Sequence, residues 1–284
     1  MANHSGPIVG RRDSLVAIAC ETCNFIHLDP IPDNDKVYTG GAYHRHIKPD
    51  YRKEYDEDSE WWNAVYGDWL SLISKRTSNT RLLDVGAGTG HFVYHAEDMG
   101  FHSIGIEADD NMVIEGGDIF WSRYEDWTYL NYGIISAHWV LEHLPDPNHF
   151  LQWTRDRLVD DGLLLLTIPN DFSAAHARII LEAHELGYYW LNAMHINYWD
   201  KQSFSSLLKR NGYEVLSVYG SWEPEDALLN GQNYLADHKL GRKLHRNRME
   251  HDLALTREKR MEKYLKLGSV GRGRDLTFLA RKVN

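Results

Sequence analysis

The chain has 284 residues, and its 41 Asp and Glu outnumber 31 Lys and Arg for a net charge of −10. Hydrophobic residues at 43% and charged residues at 25% exclude wholesale disorder and leave room for one large domain, or one domain with an appendage. The longest apolar run, Leu163 to Ile168, is far shorter than the roughly 18 to 20 residues of a membrane helix.

Residues 1–75 read as an N-terminal extension that ends in a packing helix. Met1 to Gly10 has no basic stretch followed by an apolar one, so no signal peptide is expected and a cytoplasmic location is. Ser14 to Cys20 predicts a short strand, followed by turn chemistry at Pro30, Pro32 and Asp33-Asn34. The two cysteines, Cys20 and Cys23, are too few and too close together for a disulfide scaffold. A Tyr- and His-rich stretch from Tyr43 to Tyr55 runs into the acidic Glu54 to Glu60. Beyond it Trp62, Val65, Trp69, Leu70 and Ile73 recur at the three-and-four spacing of a helix.

Over residues 76–220 the pattern becomes strand, glycine turn, helix, strand. Leu82 to Val85 predicts a strand, Gly86 to Gly90 a turn, His91 to Met99 a helix stopped by Gly100, and His102 to Ile106 a second strand. Gly133 to Ala137 and Leu163 to Ile168 predict two further strands on either side of a helix from Asn148 to Leu158. Ser203 to Arg210 predicts a helix and Tyr213 to Tyr219 a strand. Residues 221–270 have helical character, and within 271–284 Asp275 to Ala280 predicts a closing strand. Such alternation implies an α/β fold, a doubly wound and mostly parallel sheet with right-handed crossovers. Gly241 to Asn284 holds 13 Lys and Arg against 5 Asp and Glu, the pattern of a solvated amphipathic helix. The acidic remainder argues against a nucleic-acid groove across the body of the protein.

Leu82-Leu-Asp-Val-Gly-Ala-Gly-Thr-Gly90 puts three glycines at alternate positions directly after a strand, where bare backbone can approach a ligand and aim N–H groups at it. Asp84 stands at the carboxyl end of that strand, where a carboxylate can face an ammonium group. Glu107 ends the second strand, where it can accept hydrogen bonds from ribose hydroxyls. The spacing G-x-G-x-G with an acid upstream suits an aminoacyl group better than the pyrophosphate of a dinucleotide. This combination resembles the S-adenosylmethionine loop of class I methyltransferases. His138 to Pro147, Gly162 to Asn170 and the segments His195 to Trp199, Ser203 to Leu208 and Gly212 to Val215 are similar to later parts of the same family.

The resemblance implies a Rossmann-like sheet of seven strands, carrying an N-terminal extension and helical insertions, with S-adenosyl-L-methionine as cofactor. It assigns Asp84, Gly86, Ala87, Gly88 and Gly90 to the methionine end and Glu107 with Ala108 to the ribose. Glu125 and Asp126 fall near the adenine amino group, and Ala137 and His138 complete the cofactor set.

Methyl transfer to a hydroxyl needs alignment and removal of one proton. His143, preceded by Glu142 in a loop at the strand ends, and His195, next to the aromatic insertion Tyr188-Tyr189-Trp190, are the candidate bases. Glu142-His143 also resembles part of the metal-binding Glu-x-x-Glu-His of some small-RNA and quinone methyltransferases, but Trp139 occupies the first Glu position, and no metal is expected there. Cys20-x2-Cys23-x3-His27 with His4 resembles half of a zinc module found in certain sugar methyltransferases. Since the other Cys pair is missing, two buried cysteines without metal are expected. The expected activity is methyl transfer to a small-molecule or glycan-precursor acceptor, O-methylation with a histidine base. A quinone or phenol acceptor and a non-catalytic binding or scaffold subunit are the alternatives. No nucleic-acid partner is expected, and the oligomeric state stays open.

Overall fold

Three apolar runs are buried on both faces and set the centre of the molecule. Because side chains alternate across a strand, Leu83, Val85, Ile135, Ala137, Leu164 and Leu166 join one apolar layer, whereas Leu82, Ile134, Leu163 and Leu165 join the opposite one. Both layers are covered by helices, the arrangement a mostly parallel sheet requires.

The computed structural model describes residues 4–32, 51–112, 117–182, 190–192 and 194–283. The turn at Asp33-Asn34, the stretch Tyr43 to His46 and the pair Tyr188-Tyr189 lie outside them. Among the described residues, strands β1 (Ile8–Arg12), β2 (Leu15–Cys20) and β3 (Phe25–Leu28) precede helices α1 (Tyr51–Glu57) and α2 (Ser59–Ser74). The core follows as β4 (Arg81–Val85), α3 (His91–Asp98), β5 (His102–Glu107), β6 (Ile119–Trp121), β7 (Tyr132–His138), α4 (Pro147–Arg157) and β8 (Leu158–Pro169). Then come α5 (Ala174–Glu182), β9 (Asn197–Tyr198), α6 (Lys201–Arg210), β10 (Tyr213–Gly220), α7 (Glu225–Leu229), α8 (His238–Leu253), α9 (Arg257–Ser269) and β11 (Asp275–Lys282).

The large sheet has seven strands in the order β10-β11-β8-β7-β4-β5-β6. Neighbours from β8 to β6 are parallel, and β11 runs antiparallel between β10 and β8. The chain moves outward from β4 to β6, then returns to β7 on the other side of β4. The carboxyl end of β4 is therefore the switch point at which such sheets bind ligands.

A second sheet, four-stranded in the order β1-β2-β3-β9, replaces the single strand expected near the N-terminus. Its last strand reaches into the core. The Asn197 side chain donates to the carbonyls of Leu141 (3.0 Å) and Leu144 (2.7 Å), and Ile196 N–H donates to Glu142 O (2.7 Å). These bonds fix the 3-10 turn Leu141–His143. On its far side, Asp146 caps α4 by accepting from the Asn148 and His149 N–H groups, and Pro147 at the first helical position suits that start.

The basic stretch expected to be solvated is partly buried. Arg260 on α9 donates twice to Asp68 on α2, from Nε and Nη2, both at 2.7 Å, and Tyr219 OH donates to the same carboxylate at 2.7 Å. A second buried acid, Asp252 on α8, accepts from Trp61 Nε1 (3.1 Å), Lys263 Nζ (2.9 Å) and Tyr264 OH (2.5 Å). Unpaired buried carboxylates are costly. Here each one ties the C-terminal helices to α2. No helix among the described residues is long and apolar enough to cross a membrane.

Candidate functional site

One cavity of about 1140 Å³ opens at the carboxyl ends of the parallel strands, walled by Gly86 and Gly88 after β4, Glu107 on β5, His138 on β7 and Pro169 on β8. That is the size of a cofactor site joined to an acceptor site.

Its floor is the glycine turn. Gly86 has φ 72°, and a Cβ there would lie 2.5 Å from Val140 Cγ2, so only glycine keeps this backbone bare. The Gly86 and Ala87 N–H groups both donate to Ile106 O (2.9 and 3.1 Å), which seats the turn on β5. Glu107 then clasps the turn, accepting Gly88 N–H at 2.8 Å on one carboxylate oxygen and Asp109 N–H at 2.9 Å on the other. Burial pushes its carboxyl up from the ordinary range, against the pull of those backbone donors.

Asp84 behaves differently from the sequence expectation. It pairs in register with Ser136 on β7, so the two side chains share a face, and Ser136 Oγ donates to Asp84 Oδ1 at 2.7 Å. The carboxylate therefore turns to the neighbouring strand, and Asp84 is not among the residues lining the cavity. Burial raises it to about 7. Ala87, Gly90, Asp126 and Ala137 also stay out of the lining, whereas Gly86, Gly88, Glu107, Ala108, Glu125 and His138 are in it. His138 is fixed in the lining: its Nδ1 bonds Thr167 Oγ1 at 2.8 Å, its ring stacks on Trp69 at 4.9 Å, and burial pushes it down to about 3.

The three residues assigned to chemistry meet in the same cavity. His143 Nδ1–H donates to Met194 O at 2.7 Å, which makes Nε2 the unprotonated nitrogen, 3.8 Å from Glu142 Oε1. The His195 ring lies 5.1 Å from that of His143, on a loop built by Asn192, whose side-chain oxygen accepts the N–H groups of Met194 and His195 at 2.9 Å each. Burial lowers His143 to about 4 and His195 to about 3. Burial, with Asp171 and Asp275 nearby, drives the Glu142 carboxyl well above its ordinary range. Both Glu142 oxygens and His195 Nδ1 are buried without a hydrogen-bond partner among the described residues, as befits groups that await a ligand.

Among the described residues, two sets of side chains could hold a metal ion. Glu142, His143 and His195 offer three ligand atoms within 4.8 Å of one another. In the small sheet, His4, Cys20, Cys23 and His27 offer four such atoms within the same limit, a convergence unlike the metal-free pair of cysteines expected.

Of a further wall of the cavity, the sequence marks Trp61-Trp62 and Trp139 as aromatic clusters suited to stacking on a ring, though more often core, but not Trp222 or Arg248. Trp61, Trp62, Trp139 and Trp222 line it. The Arg248 guanidinium from α8 sits over Trp61 at 4.1 Å and over Trp222 at 5.5 Å. Trp139 Nε1 donates to Asp275 at 3.0 Å, and Arg274 and Asp171 complete this end.

A doubly wound sheet with a bare glycine turn and an acid closing the next strand defines a class I S-adenosylmethionine-dependent methyltransferase. The chain belongs to the family described as "Methyltransferase domain", which matches residues 55–218. No match is found among curated proteins. Solved structures share the fold at low identity. A methyltransferase in complex with the Haloferax volcanii Trm112 methyltransferase activator is 12% identical with a TM-score of 0.53, over 87% of this chain and 99% of that one. Magnesium protoporphyrin IX methyltransferase from Synechocystis, with bound S-adenosylhomocysteine, is 10% identical with a TM-score of 0.52, over 85% and 97%. The plantazolicin methyltransferase BpumL, also with S-adenosylhomocysteine, is 11% identical with a TM-score of 0.50, over 88% and 95%.

The cofactor of the class is S-adenosylmethionine, and the residues here fit it: the glycine backbone faces the cavity where no Cβ could stand, and Glu107 occupies its rim. Glu107→Ala is expected to weaken S-adenosylhomocysteine binding by about 1.5 to 3 kcal/mol, the range for a lost charge-assisted hydrogen bond. Asp84→Ala removes a bond to Ser136 instead, so it should act on stability more than on affinity. Calorimetry that found an unchanged affinity in Glu107→Ala would reject Glu107 as a ligand.

Proposed function

We propose that the protein methylates a hydroxyl of a small-molecule or glycan-precursor acceptor, with His143 as base. One observation carries this reading: the cavity that begins at the glycine turn and Glu107 continues without interruption to Glu142, His143 and His195. Bound S-adenosylmethionine supplies a methyl group activated on a sulfonium. The glycine turn and Glu107 orient it, with Ala108 and Glu125 bordering the nucleoside end. The acceptor lies against the tryptophan wall, where aromatic faces stack on a sugar or other ring and exclude water. Arg248, over Trp61 and Trp222, is a cation at that end that an acidic group of the acceptor would meet, whereas Arg274 is already paired with Glu225. His143 Nε2 takes the hydroxyl proton as the oxygen attacks, and the Nδ1–H bond to Met194 O holds the ring in the required tautomer. Within the N-terminal extension Tyr55, Trp61 and Trp62, and within residues 221–270 Trp222, Arg248 and Tyr264, serve as the acceptor-side wall of the core spanning 76–220.

A phenol or quinone acceptor is the second reading, favoured by the four tryptophans of the wall. A scaffold role without turnover is disfavoured by the buried, unpartnered acid and imidazole, whose upkeep would serve no purpose. The test uses S-adenosylmethionine labelled in the methyl group with sugar nucleotides, phenols and their carboxylated relatives. S-adenosylhomocysteine is expected to raise the melting temperature by mass action, and label is expected in one acceptor class. Cofactor binding without transfer to any of them would support the scaffold reading instead.

A further inference from the structure

The small sheet holds four side chains that the methyltransferase chemistry does not use. Cys20 ends β2, Cys23 lies in the turn that follows and His27 is on β3. In the β2–β3 pairing Ile18 opposes His27 and Cys20 opposes Phe25, so Cys20 and His27 are diagonal neighbours on one face. The N-terminal segment lies along β2, with Ala19 N–H donating to Pro7 O and Glu21 N–H to Ser5 O, both at 2.9 Å, and this brings His4 to the same place.

The three spacings measured from His4 fit a tetrahedron around an ion. With zinc–nitrogen bonds of about 2.0 to 2.1 Å and zinc–sulfur bonds of about 2.3 Å, tetrahedral geometry puts ligand nitrogens about 3.3 Å apart and a nitrogen and a sulfur about 3.5 Å apart. His4 Nδ1 lies 3.2 Å from His27 Nε2, 3.6 Å from Cys20 Sγ and 3.4 Å from Cys23 Sγ. All four ligand atoms lie within 4.8 Å of one another.

The surroundings hold the ligands in position. His27 Nδ1–H donates to Leu28 O at 2.8 Å, which leaves the Nε2 lone pair aimed at the cluster, as ligating histidines require. Cys23 N–H points at Cys20 Sγ (3.4 Å) and Asn24 N–H donates to Cys20 O (2.8 Å). Asn24 itself sits at φ 56°, the left-handed position that turns the chain back into β3. Arg210 on α6 donates to Cys23 O at 2.7 Å, so the knuckle is also fastened to the core.

We infer that His4, Cys20, Cys23 and His27 form a structural zinc site of Cys2His2 type. All four positions are protein ligands, so the site is closed and offers no vacancy for chemistry. The ion joins the N-terminal segment to the β2–β3 hairpin. That hairpin carries β9, whose Asn197 holds the turn bearing Glu142 and His143. The inference stands apart from the proposed acceptor.

Metal analysis of the purified full-length chain is expected to find one zinc per chain, lost in Cys20→Ser and in His4→Ala. His4→Cys exchanges one good zinc ligand for another and is expected to retain the ion, which keeps the test decisive if Cys20→Ser fails to fold. After chelation, added Co²⁺ is expected to produce the intense visible absorption of four-coordinate cobalt with thiolate ligands, stronger in His4→Cys. Three results would overturn the site: wild-type chain free of zinc after growth in zinc and showing no such absorption with Co²⁺; a Cys20–Cys23 disulfide in the purified chain; or zinc retained in full by a folded Cys20→Ser, which would put the ion elsewhere.

Discussion

His143→Gln is expected to lower turnover by roughly 10² to 10⁴, the usual contribution of a positioned base, with little change in S-adenosylhomocysteine affinity. Glutamine keeps a polar group near Met194 O but cannot accept a proton at the position of Nε2. The pH dependence of the unaltered protein provides the second readout. Burial lowers His143 to about 4, so its neutral, proton-accepting form is already dominant at pH 5.5. The rate should stay level through pH 6 to 8 and fall only as the pH drops toward 4. An ordinary exposed histidine, with a pKa of about 6.5, would instead lose half its activity near that value. His195 is pushed lower still, to about 3, by burial and by the neighbouring His143, which makes it the weaker base. Its Gln variant should show the smaller loss. Near-normal turnover in His143→Gln would pass the role to His195 or leave alignment alone to drive the reaction.

What the sequence disclosed follows from which forces act locally. The glycine turn and the buried runs Leu82 to Val85, Gly133 to Ala137 and Leu163 to Ile168 could be read because a strand buried on both faces is apolar along most of its length. Of the small sheet only β2 was legible, from Ser14 to Cys20. β1 is largely exposed, β9 is two residues long, and β6 at the edge of the large sheet leaves Phe120 and Trp121 exposed, so none of these shows the alternation that marks a half-buried strand. At the site, Glu142, His143 and His195 were found from residue type and position, and the structure brings them together. The direction of the Asp84 carboxylate was not legible, because it depends on the Ser136 hydroxyl one strand away. Arg248 was hidden for a related reason. Its place over Trp61 and Trp222 is set by how α8 packs on α2, whereas a run of basic residues on a helix reads as solvated.

That packing yields the other large expected effect. Asp68→Ala should destabilise the protein by about 3 to 5 kcal/mol, the range for breaking a buried ion pair from one side. The substitution leaves Arg260 buried without the carboxylate that accepts its Nε and Nη2, and it also strips the Tyr219 hydroxyl of its acceptor. At about 2 to 4 °C per kcal/mol for a chain somewhat shorter than this one, the melting temperature should fall by on the order of 10 °C. Asp68→Leu combined with Arg260→Met removes both charges and fills the space with apolar atoms, so it should recover much of the loss. If Asp68→Ala melts normally, the C-terminal helices are held chiefly by apolar contact through Met261 and Tyr264. The distinction matters for the acceptor, because Tyr264 and Trp61 both line the cavity and both donate to Asp252. Helices fastened to α2 by two buried carboxylates hold that wall in place, so loss of either carboxylate is expected to disturb the surface on which the proposed acceptor stacks.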